Sequence, residues 1–270
     1  MTLAVLINGA APQDLSHAIP VNDRGLHYGD GLFETALLAD GRIRFLDDHL
    51  QRLMTGCRRL GIPAPHRQVL LDEIQRVTSS LRSGVLKIIV TRGAGGRGYG
   101  IEPALQPTRI VALYAAPEAV KSEVALRWCE TRLGRNARLA GVKHLNRLEQ
   151  VLAQAEQGAA RADEGLMLDT EGELVGGVAS NVFLVRDGAL VTPDLRFSGV
   201  RGVMRDRVLR AATQAGMIAS EEPLWPHDLD AASEVFLTNA IRGVQSAVSL
   251  DALQWRAGPV AARLRVALAL

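Results

Sequence analysis

The chain has 270 residues, 31 Lys plus Arg against 29 Asp plus Glu, and a formal charge of +2. A hydrophobic content of 47% with 22% charged residues excludes a disordered or low-complexity chain. Scattered basic residues and only 4% aromatics argue against a nucleic-acid surface. The length predicts two small α/β lobes or one large domain. Cys57 and Cys129 form no CxxC pair, no charged-then-apolar leader opens the chain, and no apolar run has membrane-spanning length. A reducing cytoplasm is therefore expected, with no membrane contact. No HExxH or Cys/His cluster appears, so no metal site is expected.

In chain order, Leu3 to Ile7 is a short apolar run ending on the turn dipeptide Asn8-Gly9. A hairpin is expected from Leu32 to Phe45 around Asp40-Gly41. A helix follows, capped by Asp47 or Asp48, with Leu46, Leu50, Leu53, Cys57 and Leu60 at helical spacing and Gly61 and Pro63 ending it. A second helix covers roughly Arg67 to Leu81. Strands are predicted at Val85–Thr91 and Arg109–Tyr114. Residues 117–123 connect a smaller lobe, 1–116, to a larger one, 124–270. The larger lobe opens with a strand near Val124–Trp128. A helix then runs from about Asn146 to Ala162, with Leu148, Val151, Leu152 and Ala155 on one face. Strands follow at 165–168, 173–175, 181–185 and 189–191, then a helix at 201–215. Strands near 235–238 and 244–249 precede a final helix from Pro259. Short hairpins mixed with helices argue for mixed sheets.

Gly93-Ala94-Gly95-Gly96-Arg97-Gly98 matches GxGxxG after a strand. That fingerprint works only where a helix starts inside it, because the helix N-terminus holds the pyrophosphate. The continuation Tyr99-Gly100-Ile101-Glu102-Pro103 starts no helix, so the segment reads as a flexible or substrate-facing loop. Lysine usage is sharper: only Lys87, Lys121 and Lys143 occur among the 31 basic residues. Chemistry that needs a Schiff-base amine has three candidates, and surface lysines without function remain the other reading.

The run Leu139-Ala140-Gly141-Val142-Lys143-His144-Leu145-Asn146-Arg147-Leu148-Glu149-Gln150 resembles the lysine segment of the fold-type IV pyridoxal-phosphate enzymes, the family of branched-chain and D-amino-acid aminotransferases. Asp23-Arg24-Gly25, Tyr28 through Thr35, His49 through Leu53, Thr91 through Gly100, Ser180 through Phe183, Gly199 through Arg205 and Thr238-Asn239-Ala240 are similar to family segments in family order. The Arg-Gly-x-Gly-Gly-Arg-Gly-Tyr loop and the Lys-His-Leu-Asn-Arg-Leu-Glu run resemble its lyase branch, which converts 4-amino-4-deoxychorismate to p-aminobenzoate and pyruvate for folate. The resemblance implies two mixed-sheet lobes with the cofactor between them, and a homodimer. It makes Lys143 the covalent anchor of pyridoxal 5'-phosphate and then general base and acid, a role that needs a neutral amine. Arg52 would clamp the phosphate, with backbone N–H groups at Gly202, Val203 and Met204 and at Asn239 or Ala240. A helix start suits a phosphate on general grounds. Thr35 would be a proton-relay or positioning hydroxyl, or a strand threonine bonded locally. Arg97, Tyr99 and Tyr28 would meet a dianionic substrate, with Arg147 and His144 as supports.

One departure stands out. The family's glutamate at the cofactor's pyridine nitrogen falls on Gly176 in Leu174-Val175-Gly176-Gly177. Glu173 lies three residues earlier on the opposite strand face, and Arg201 is the other group worth inspecting. The expected function is the lyase reaction. The alternatives are a D-amino-acid or branched-chain-type aminotransferase and a catalytically impaired paralogue.

Overall fold

The computed structural model describes residues 2–103, 105–117, 119–157 and 162–270. The chain divides into two compact units, Met1–Glu118 with Lys143–Asn146, and Ala119–Val142 with Arg147–Leu270. Among the described residues, no helix is long and apolar enough to cross a membrane, and no cluster of three or more His, Cys, Asp or Glu is placed to hold a metal ion.

The first unit contains β1 (Thr2–Ile7), α1 (Arg24–Tyr28), β2 (Gly31–Ala39), β3 (Arg42–Ile43), α2 (Leu46–Leu60), α3 (Arg67–Thr78), β4 (Gly84–Thr91) and β5 (Arg109–Tyr114). Its strands form an antiparallel sheet in the order β1-β5-β4-β2-β3. Alternation is clean in β2: Leu32, Glu34, Ala36 and Leu38 are buried, while Phe33, Thr35 and Leu37 are half-buried. The buried row meets α2, whose Leu50, Leu53 and Cys57 are at most 2% exposed. Each leucine of this kind contributes roughly 2 kcal/mol by leaving water. Gly56 lets α2 approach closely, since a Cβ there would lie 2.9 Å from Leu32 Cδ2.

The expected aspartate cap of α2 is corrected. The cap residue is Phe45, in left-handed conformation with φ 55° and no side-chain bond, because the chain passes from the hairpin directly into the helix. Asp47 and Asp48 occupy the first turn instead, where they favour the helix dipole. Gly61 closes the helix at φ 62°, with its N–H on the Arg58 and Cys57 carbonyls.

The second unit contains β6 (Glu123–Trp128), α4 (Leu148–Gln157), β7 (Glu164–Leu168), β8 (Leu174–Gly177), β9 (Asn181–Arg186), β10 (Ala189–Pro193), α5 (Val203–Gln214), β11 (Ala219–Glu222), β12 (Glu234–Asn239), β13 (Gly243–Leu250), β14 (Leu253–Gln254) and α6 (Pro259–Ala267). The sheet order is β11-β10-β9-β12-β13-β6-β7-β8, with β14 beside β13. Both faces are covered: Leu166 and Leu168 of β7 join a cluster with Val124, Val182 and Leu237, and Met167 joins another with Cys129, Leu133 and Ala153. The helix expected to reach Ala162 ends, as far as it is described, at Gln157; residues 158–161 lie outside the described residues. Its predicted stripe points outward, with Leu148, Val151 and Leu152 exposed and Ala153 buried.

Candidate active site

Lys143 packs with the first unit, not with the larger lobe on which it was expected. The cause is backbone pairing: Phe33 N–H donates to the Lys143 carbonyl at 3.1 Å, and Leu145 N–H to the Gly31 carbonyl at 3.0 Å. Residues 143–145 thus run antiparallel to the start of β2, with Leu32 opposite His144. This register sets Lys143 beside Phe33, and the amine rests 4.2 Å from the ring centroid. The Lys87 amine lies 5.5 Å from the same centroid. Thr35 is two residues along β2 on Phe33's face and pairs with Lys87 across the sheet. Two of the chain's three lysines therefore meet at one aromatic ring.

On the opposite face of β2, Glu34 carries a buried charge network. Its carboxylate accepts from Arg52 Nε at 2.7 Å and Nη2 at 2.6 Å, and pairs with His49 Nδ1 at 2.7 Å. Burial alone would raise the Glu34 pKa. The Arg52 charge and hydrogen bonds, with a bond from His49, outweigh it and bring the group down to about 2. Arg52 is thus gripped in a bidentate fork, which fixes the plane of its guanidinium.

The Gly-rich loop starts no helix. Asp23 accepts from the Thr91 and Thr108 hydroxyls and caps α1 through Gly25 N–H. Asp30 accepts from Arg92 Nε and Nη2 at 2.7 and 3.0 Å and from Arg24 Nε at 3.0 Å. Burial would raise the Asp30 pKa, but these bonds and charges hold it below the usual carboxylate range. Tyr28, expected at the substrate, uses its hydroxyl to accept from Gly98 N–H at 3.0 Å, and its ring lies 5.4 Å from that of Tyr99. Arg97 and Tyr99 are both exposed.

In the second unit, Gly202 is the extended N-cap of α5, and no side chain caps the helix. The first-turn N–H groups of a helix have no intrahelical partner, so Val203 and Met204 offer donors at an electropositive end. A Cβ on Gly202 would lie 2.1 Å from Asn181 Oδ1, so a larger residue there must displace that amide. Asn181 in turn donates to the Val200 carbonyl at 2.8 Å. The fully buried Arg205 ties α5 to β10 through the Pro193 carbonyl at 2.6 Å and also meets Glu221. Asn239 accepts from the N–H groups of Ile241 and Arg242 and donates to the Ala179 carbonyl, shaping the turn that holds Ala240. Arg147 donates to the Val142 carbonyl at 3.3 Å, and burial lowers its pKa to about 10. Neither candidate stand-in for the missing acid is at leisure: Glu173 pairs with Arg196 at 3.1 Å, and Arg201 with Glu221 at 2.8 Å.

Sequence reasoning gave no role to Glu34, Arg24 or Asp30 and counted Lys87 only as one of three possible amines. For Glu34 a signal existed, a charged residue on the apolar row of an alternating strand; the others depend on contacts distant in sequence.

The Amino-transferase class IV family model matches residues 31–250. The aminodeoxychorismate lyase of Vibrio harveyi is 34% identical over 87% of this chain and 88% of its own. A putative branched-chain-amino-acid aminotransferase of Methanocaldococcus jannaschii is 31% identical over 92% and 88%. The solved structure of 4-amino-4-deoxychorismate lyase from Pseudomonas aeruginosa superposes with a TM-score of 0.91 at 42% identity, covering 98% of this chain and 97% of that one.

Proposed function

Because the chain belongs to the class IV aminotransferase family, we propose that it works as the lyase branch does. It is a pyridoxal-phosphate-dependent enzyme converting 4-amino-4-deoxychorismate to p-aminobenzoate and pyruvate, the step that supplies p-aminobenzoate for folate. The observation that carries this reading is Lys143, held by backbone pairing with its amine on the Phe33 ring, in a chain of lyase-like sequence over nearly its full length.

The residues fit the cofactor on two counts. The uncapped start of α5 beside Gly202, where a Cβ would strike Asn181, suits a phosphate. Lys143 supplies the amine for covalent attachment. In the second unit, Val203, Met204 and Ala240 would give backbone donors to a phosphate, with Asn239 shaping the turn; in the first, Arg52, its plane set by Glu34, would offer a cation. When bound, pyridoxal phosphate would supply the electron sink that makes the proton on the substrate's C4 acidic. Lys143 takes that proton while the C3–O bond breaks. The ring becomes aromatic, and the proton returns to the departing enolpyruvate carbon to give pyruvate, so no net oxidation occurs. Thr35, on the Phe33 face of β2, can hold a proton or orient the substrate beside Lys143. Lys87 and the exposed Arg97, with Tyr99, answer the two carboxylates of the substrate. An aminotransferase reading is favoured by the Methanocaldococcus relative and opposed by Gly176.

We also propose a cytoplasmic homodimer. The exposed stripe of Leu148, Val151 and Leu152 on α4 supports a partner copy, and the unpaired, buried Cys57 and Cys129 suit a reducing compartment.

The test is the absorption spectrum of the purified protein with pyridoxal phosphate, before and after aminodeoxychorismate, with Lys143→Ala as control. A visible band that needs Lys143, then release of p-aminobenzoate and pyruvate, is expected. A band without product, together with turnover of amino donors, would reassign the chain to the aminotransferases. No band at all would overturn the reading.

A further inference from the structure

Arg24 is 4% exposed, yet it sits in a five-residue helix and takes no part in the chemistry described above. The two terminal nitrogens of its guanidinium bond one loop. Nη1 donates to the Gly98 carbonyl at 3.0 Å and the Gly100 carbonyl at 3.1 Å, and Nη2 to the Tyr99 carbonyl at 3.4 Å. Three consecutive carbonyls are turned toward one cation. Nε donates to Asp30 at 3.0 Å, and the guanidinium carbon lies 4.9 Å above the Tyr28 ring, whose hydroxyl accepts Gly98 N–H. The neighbouring backbone joins in: Arg24 N–H donates to the Gly93 carbonyl and Gly95 N–H to the Asn22 carbonyl.

The loop it holds is expensive to order. Gly93, Gly95, Gly96, Gly98 and Gly100 have more backbone freedom to lose than any other residues. Carbonyls drawn inward by Arg24 leave the Arg97 and Tyr99 side chains projecting outward, both exposed. A guanidinium suits this task because its planar fork offers five donors in fixed directions, which a lysine ammonium cannot match.

We propose that Arg24 is a positioning residue for substrate recognition: it locks the backbone of residues 98–100 so that Arg97 and Tyr99 stand preorganised to capture a substrate carboxylate. The proposal rests on the reading of Arg97 and Tyr99 as substrate contacts. It assigns Arg24 to KM, not to the proton transfer at Lys143.

Arg24→Met tests it. Asp30 keeps both bonds from Arg92 in this variant, so no buried carboxylate is orphaned. KM for aminodeoxychorismate should rise about tenfold or more with kcat within roughly threefold of the parent, the pattern of lost binding and intact chemistry. Tryptic cleavage after Arg97 should accelerate, because residues 98–100 are released. Arg24→Lys, which keeps the charge without the fork, should fall between the two and serves as the readout if the methionine variant does not fold. A parental KM, an unchanged cleavage rate, or a loss confined to kcat would each overturn the proposal. Arg97→Ala separates the two levels: an unchanged KM there refutes the substrate-contact reading, while the cleavage rate of Arg24→Met still reports on the loop.

Discussion

Replacing Glu34 by glutamine keeps the shape of the side chain and removes its charge. In the parent, this 1% exposed carboxylate takes two bonds from Arg52 and one from His49, all at 2.6–2.7 Å. Its pKa falls from 4.5 to about 2 on folding; at ~1.4 kcal/mol per pKa unit this is about 3 kcal/mol of stability at neutral pH. An amide can still accept one bond, but its NH₂ faces other donors, so we expect Glu34→Gln to cost about 2–3 kcal/mol. For a chain of this size that lowers Tm by roughly 5–10 °C. The sign of the pH dependence follows from the depressed pKa. The parent's advantage is complete above the unfolded pKa of about 4.5 and is lost as pH falls toward 2, where Glu34 protonates in the folded protein. Thermal and urea unfolding of both proteins, from pH 7 down to pH 2.5, measure the gap. A gap below about 0.5 kcal/mol at pH 7, or one that stays constant down to pH 2.5, would refute the assignment of a stabilising buried charge cluster.

Gly202→Ala should raise the dissociation constant for pyridoxal phosphate about tenfold or more, because the new Cβ falls 2.1 Å from Asn181 Oδ1 at the start of α5; equal affinity in a fluorescence titration would exclude this helix start as the phosphate seat. Burial pushes the Cys57 and Cys129 thiols up to about 11. The folded protein should therefore react with a thiol reagent at pH 8 roughly a hundredfold more slowly than a free thiol, with both cysteines reacting once it is unfolded, and fast labelling of the native protein would contradict the burial. Gly176→Ala should destabilise by about 1–2 kcal/mol, since its Cβ would lie 2.8 Å from the Ser180 carbonyl oxygen. Gly176→Glu carries the same crowding plus a carboxylate, so the ratio of the two variants isolates the acid: side transamination should rise and elimination hold or increase, whereas a Glu variant that revives an otherwise inactive parent would refute tolerance of the glycine.

Periodicity and turn chemistry made most elements legible. Arg109–Tyr114 emerges with its predicted bounds, and Asp40-Gly41 turns the hairpin with φ 50° and 79°. The absence of a helix after Gly98 followed from the Tyr99-to-Pro103 continuation. Short or polar elements escaped. Helix α1 spans five residues, too few for a hydrophobic period, and β11 is Ala-Ser-Glu-Glu, recognisable only through its parallel pairing with β10. The placement of Lys143 with the first unit depends on bonds to Gly31 and Phe33, more than a hundred residues away in sequence. Nothing local to either segment encodes such a contact. Resemblance pointed to Lys143, but the second amine at Phe33 and the Glu34 fork needed three dimensions.

Gly176 shows how a missing side chain can become part of the backbone's design. The Ser180 carbonyl stands 2.8 Å from where the Gly176 Cβ would be, and it accepts Gly177 N–H at 2.9 Å. The following residues are pinned as well: Glu164 takes bonds from Ala179 N–H and the Ser180 hydroxyl, and Asn239 donates to the Ala179 carbonyl. Glu164 is itself balanced by Arg242 at 2.7 Å. Antiparallel pairing sets Leu166 opposite Gly177, so Glu164, two residues before Leu166, shares the face of Gly177 and not that of Gly176. Glu173 is bound to Arg196 and Arg135, so among the described residues both Glu164 and Glu173 are engaged away from Gly176. On the proposed function, a reaction run without the family's carboxylate here would have a weaker electron sink. Elimination that ends in an aromatic ring, with enolpyruvate as leaving group, asks less of that sink than amino-group transfer does. The glycine therefore weighs toward the lyase, and any side chain at this position has to displace the Ser180 carbonyl that closes the turn.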